Sequence, residues 1–173
     1  MDRKRLISLI PAAFAALLPV LAAACASSTG PGPTGGLVRR TDCKTAGQMA
    51  SGAAAAPTTS QECVEYEYDG RSLLRLKHVN AGFNCCPGTV SADIQVEGGA
   101  IRIRESESSS LCDCSCLYDL DYEFTGVIPG YWRIEVVGPY QPEGDPPLEF
   151  VLVLDGASTG SHCVVRTRYP WGL

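Results

Sequence analysis

Nine cysteines carry most of the chemical potential of this chain, and their spacing limits what that chemistry can be. Cys25 stands alone near the N-terminus. The other eight are Cys43, Cys63, Cys85, Cys86, Cys112, Cys114, Cys116 and Cys163. Adjacent residues such as Cys85 and Cys86 have Cα atoms about 3.8 Å apart, too close for an unstrained bridge. Residues two apart on a strand are roughly 6.6 Å apart with near-parallel side chains, at the far limit of disulfide reach. Cys112, Cys114 and Cys116 are therefore expected to bond outside their own run. Their partners come from Cys43, Cys63, Cys85, Cys86 and Cys163, with Cys85 and Cys86 expected to take two of them. In an oxidising compartment an even set of eight means four disulfides. The alternative is a thiolate metal site, in which Cys85, Cys86, Cys112, Cys114 and Cys116 present sulfurs to copper(I) or zinc. Against it stand the lack of any Cys-x-x-Cys pair and the presence of only two histidines and two methionines as co-ligands.

Other residues with reactive side chains carry weaker patterns. Gly156-Ala157-Ser158-Thr159-Gly160 matches Gly-x-Ser-x-Gly after an apolar run, but a nucleophile elbow needs a helix next, and Ser161 to Tyr169 reads as a strand. A hairpin loop is the expectation there. Asp119, Asp121 and Glu123 alternate along one face and lack the glycine-hinged loop that converges calcium ligands, so a solvated face is expected. His78 and His162 belong to no motif and are read as ordinary strand residues. The loop Gly138–Pro147 sets Tyr140 among prolines, as a stiff surface connection or a contact surface. No set of residues meets the combined demands of geometry and role for catalysis, so neither an enzyme nor a bound cofactor is expected.

The compartment decides how the cysteines are read, and the first twenty-five residues bear on it. Arg3, Lys4 and Arg5 precede an apolar stretch from Leu6 to Ala24 that ends in small residues, the pattern of an export signal. The run Leu21-Ala22-Ala23-Ala24-Cys25 resembles the lipobox of bacterial lipoproteins. That resemblance implies cleavage after residue 24, acylation of Cys25 (palmitate among the chains), and anchoring in a membrane. Ala26, which is not the aspartate that retains such proteins in the inner membrane, implies the outer membrane of the cell envelope. Removing residues 1–24 leaves 11 Lys and Arg against 18 Asp and Glu, a net charge of −7, which disfavours nucleic acid as a partner.

The elements that must position these side chains read as strands. Residues 25–60 are rich in Gly, Ala, Ser, Thr and Pro and have too few large apolar residues to offset the entropy of ordering, so they read as a lipidated tether. From residue 61 the pattern turns to alternation. Val64, Tyr66 and Tyr68 lead into Asp69-Gly70, a two-residue turn signal, and Leu74 and Leu76 return. Val90 to Val96 and Ile101 to Ile103 flank Gly98-Gly99 as a second hairpin. Cys112 to Phe124 reads as one long strand with its odd-numbered side facing water. Further strands follow at Trp132–Val136, Leu148–Leu154 and about His162–Tyr169. The stretch Phe124–Val136 resembles a strand-turn-strand of bacterial surface Ig-like and transthyretin-like sandwiches. The expectation is an all-β protein: signal peptide 1–24, tether 25–60, and an antiparallel, disulfide cross-linked β-sandwich of seven to eight strands over 61–173. Its expected role is a structural or binding module with a protein or glycan partner.

Overall fold

Alternation of apolar and polar side chains from residue 61 onward produces strands, and every regular element among the described residues is one. They are β1 (Thr34–Arg40), β2 (Gln61–Asp69), β3 (Leu73–Asn84), β4 (Val90–Glu97), β5 (Ala100–Glu107), β6 (Ser115–Thr125), β7 (Gly130–Val137), β8 (Leu148–Leu154) and β9 (Ala157–Val165). This computed structural model describes residues 32–44, 57–141 and 143–172. The expected lipidation site Cys25, the expected signal peptide 1–24, and residues 26–31 and 45–56 of the expected tether lie outside the described residues.

Two sheets form, in the orders β1-β6-β3-β2-β9 and β4-β5-β7-β8. The first is antiparallel throughout, whereas β5 and β7 in the second run parallel. The fold is thus an all-β, largely antiparallel two-sheet structure cross-linked by four disulfides, with nine strands among the described residues against the expected seven to eight. Tyr68, Leu74, Leu76, Leu120, Tyr122 and Phe124 from the five-stranded sheet pack with Ile101, Ile103, Ile134, Leu148 and Leu154 from the four-stranded one. Leu74 and Leu76, Leu120, Tyr122 and Phe124, and Ile101 and Ile103 recur at every second position, the period that sends side chains to one face.

Four expectations are corrected. Residues 34–40, read as tether, form β1 at the edge of the five-stranded sheet. Two glycines hide the strand from a pattern search, yet Gly35 is what permits it: a Cβ there would lie 2.1 Å from the Phe124 ring. The Asp69-Gly70 turn is longer than two residues, because the Asp69 carboxylate accepts from the N–H groups of Arg71, Ser72 and Leu73 at 2.8, 2.9 and 3.0 Å and closes a wider loop. Cys112 and Cys114 precede β6, which begins only at Ser115. Residues 157–160 form the start of β9 and not a hairpin loop, and the connection from β8 to β9 passes from one sheet to the other. The Gly98-Gly99 turn, by contrast, matches its sequence signal. Both residues have positive φ, 58° and 76°, and Glu97 pairs directly with Ala100 as a two-residue hairpin requires.

Candidate functional site

Four ionisable side chains occupy the interior between the sheets. Glu62, His78 and Glu105 stand at the core-facing parity of β2, β3 and β5, and Arg166 continues the inward row of β9. His78 donates through Nδ1 to Glu105 Oε1 and through Nε2 to Glu62 Oε1, each at 2.8 Å. A ring with a carboxylate at both nitrogens needs a proton on both, so it is an imidazolium. Burial alone would drive that proton off, but the charge and hydrogen bonds of Glu105 and Glu62 outweigh it and lift the His78 pKa from 6.5 to about 10. Burial likewise opposes ionisation of Glu62, and is overcome by His78 and Arg166, so its pKa is lowered. Arg166 Nε donates to Glu62 Oε2, its Nη1 donates to Pro146 O at 2.6 Å, and Tyr122 donates to Glu105 Oε1 at 2.7 Å. The formal charges cancel. Glu105 Oε2 is buried without a hydrogen-bond partner. With these residues at most 4% exposed, no substrate reaches the cluster, and what it can do is tie the two sheets together.

The cysteines form a second constellation, organised by asparagine. Asn84 ends β3; its Nδ2 donates to Cys112 O at 2.6 Å, while its Oδ1 accepts from the N–H groups of Cys86 and Cys112 at 2.8 and 3.2 Å. This side chain holds the 112–114 loop opposite 85–86. There Cys85 bonds Cys114 and Cys86 bonds Cys112, with Cα separations of 5.6 and 5.5 Å. Beyond β1, Thr41 and Lys44 donate to the carbonyls of Asp119 and Leu117, both at 2.9 Å, which sets Cys43 beside Cys116 for the third bridge. Cys63 and Cys163 face each other directly across β2 and β9 and form the fourth. All eight sulfurs offered by the sequence as disulfide or metal candidates are thereby engaged in bridges, and none is a thiolate.

The remaining candidates separate in space. Ser158 lies opposite Tyr68 in the β2–β9 ladder, with Oγ buried and no hydrogen-bond partner, and a strand follows it where a nucleophile would need a helix. Asp119, Asp121 and Glu123 do not form the solvated row expected. Asp119 is buried and ion-pairs with Lys44 at 2.5 Å and Lys77 at 3.5 Å; Asp121 pairs with Arg39 at 2.7 Å and Glu123 with Arg75 at 3.3 Å. Each carboxylate has its own cation, and among the described residues no group of three or more His, Cys, Asp or Glu is disposed to hold a metal. His162 stacks on Phe150 with centroids 4.7 Å apart. Tyr140 is held to the body by donating to Glu107 at 2.5 Å, which helps raise its pKa to about 12. What sequence reasoning missed is the ionic core. Its signal was available: charged residues at the inward parity of three separate strands.

These features define a class, a cystine-rich all-β two-sheet protein with an ionic network in its core. No family model matches the chain, and neither the curated proteins nor the solved structures provide a match.

Proposed function

We propose that the chain is an exported lipoprotein of the cell envelope, anchored through acylated Cys25, whose β-domain serves as a structural or binding module and not as an enzyme. One observation carries the reading: eight cysteines fall into four pairs within bridging distance, an arrangement that persists in oxidising compartments and is rare where thiols are kept reduced. The sequence before Cys25 supports it independently, having a basic start, an apolar run and a lipobox-like end. The ionic core and the paired surface carboxylates suit a scaffold, since each charged side chain there is paired with an opposite charge of the same domain. A partner, protein or glycan, would then meet the outer faces and loops.

The test is the intact mass and thiol count of protein taken from its native envelope. The expected product begins at Cys25, carries acyl chains and has no free thiol among the other eight cysteines. Recovery of the full, unprocessed chain from the soluble cell interior, or of free thiols at Cys85 and Cys86 with bound copper or zinc, would overturn the proposal.

A further inference from the structure

Resting on the lipid-anchor reading, we propose that the end of the sandwich where β1 begins sits on the lipid surface, with Ile128 and Tyr131 as its contact side chains. Because β1 begins at Thr34, only eight residue steps separate Cys25 from Pro33, which even fully extended reach no further than about 30 Å. A tether running to residue 60 would have let the domain turn any face to the membrane; this connection instead delivers the lipid to one end.

That end can be mapped. Pro33 packs on the loop after β6, its Cα 3.4 Å from the position of a Cβ on Gly126. Val127 in the same loop donates to Ser72 O at 3.1 Å, which adds the β2–β3 turn, and Asp69 pairs with Ala157, which adds the β8–β9 connection. Arg133 donates to Gly99 O at 2.9 Å, which brings in the β4–β5 turn. At this end two large apolar side chains are exposed, Ile128 at 66% in the loop between β6 and β7, and Tyr131 at 76% as the second residue of β7, where it pairs with Val153. Trp132 lies beneath them, and its indole N–H donates to Ile128 O at 2.8 Å, so the projecting loop is held in place. An exposed aliphatic residue on a braced loop and a tyrosine at the start of the strand that follows are groups that settle at the boundary of headgroups and acyl chains.

Charge chooses the lipid. The ionisable residues of these loops are Asp69, Arg71, Glu97 and Asp155, so no basic cluster is present to hold anionic headgroups. A zwitterionic surface such as phosphatidylcholine fits better. The opposite end is about 35 Å away along the twelve residues of β3. It carries Leu111, which is 84% exposed, beside the Cys86–Cys112 bridge.

The experiment uses the full-length, matured protein in phosphatidylcholine vesicles containing brominated phosphatidylcholine, after mass spectrometry has established acyl chains on Cys25. Ile128→Trp and Leu111→Trp each add an indole at an exposed position, one per end, so neither threatens the fold. With interfacial side chains lying roughly 5–10 Å deep, the indole added at 128 is expected to lose at least about twice the fraction of its emission lost by the one added at 111. Without substitution, hydrogen exchange over residues 126–131 is expected to slow on vesicles relative to detergent, and exchange over 110–116 to stay unchanged. Equal quenching, stronger quenching at 111, or unchanged exchange at 126–131 overturns the orientation while leaving the anchor intact. Absence of lipid on Cys25 overturns the anchor, and the orientation falls with it.

Discussion

His78 shows how much one buried side chain organises in this fold. Its imidazolium sits between Glu62 and Glu105, which belong to different sheets, so removing the cation leaves two carboxylates facing a low-dielectric interior. His78→Gln is accordingly expected to lower stability by about 3–5 kcal/mol in urea unfolding, the usual penalty for breaking a buried pair by removing one partner. The pH dependence has a defined sign. The His78 pKa is raised on folding from 6.5 to about 10, so its contribution is complete below pH 6.5 and drains away as pH climbs to about 10. The slope of a single proton is on the order of 1 kcal/mol per pH unit. Glu62 works in the opposite direction: its pKa is lowered from 4.5, so its contribution is present above pH 4.5 and is lost as acid carries the pH through the folded-state value. Stability should therefore peak between pH 4.5 and 6.5 and decline on the alkaline side, and His78→Gln should abolish the decline. Unfolding midpoints measured from pH 5 to 9 would decide this, and an alkaline slope that survives the substitution would count against the imidazolium.

At the scale of elements, β1 and the irregularity in β3 depend on single residues. The Phe124 ring occupies the space over Gly35 and is itself fully buried, so it cannot swing aside. Gly35→Val should cost about 1–3 kcal/mol through overpacking and expose β1 to protease before the remainder of the domain, with the Cys43–Cys116 bridge retaining the cut segment. In β3, the β6 register shifts between His78 and Ala81, and Asn80 adopts φ 62°. Its Nδ2 donates to Thr58 O and Gln61 O at 3.0 and 2.7 Å, its Oδ1 accepts from Lys44 at 2.7 Å, and its carbonyl accepts from Trp171 Nε1 at 2.8 Å. Asn80→Ala forfeits the side-chain bonds and leaves a Cβ in the left-handed region without the amide that makes asparagine tolerant there, with an expected loss of about 2–4 kcal/mol by urea unfolding; Asn80→Gly should recover only the backbone share. These same elements mark how far the sequence could be read. Strands with strict alternation, such as 101–103 or 118–124, announce which face is buried. β1 does not, because its contribution is a close backbone approach at glycine and not an apolar row. Neighbour order was also hidden: alternation states which side of a strand faces inward but says nothing of its partner, so the parallel β5–β7 pair could not be anticipated. Asp119 was misread for a related reason. Its face is outward by parity, but Lys44 and the bulge at Asn80 cover it, and both come from chain distant in sequence.

Across the whole molecule the bridges concentrate away from the end where β1 begins. Three lie at or beyond the far tips of β1, β3 and β6, and Cys63 stands near the start of β2, the half remote from Asp69. Two of them are nested: Cys86–Cys112 closes a separation of 26 residues inside the 29 closed by Cys85–Cys114. Nesting has an energetic consequence. While one of the two remains, the ends that the other would join are already held within a few residues, so deleting either removes only the closure entropy of a very short loop, about 2 kcal/mol. Deleting both releases the long loop as well, for a total of about 5 kcal/mol. The pair should thus be more than additive, by roughly 1 kcal/mol or more in a double-mutant cycle. Paired serine substitutions at 85 and 114, at 86 and 112, and at all four positions, each followed by urea unfolding, would measure the coupling. Strictly additive losses would mean that the two cross-links act on separate parts of the unfolded chain, which their nested pairing does not allow.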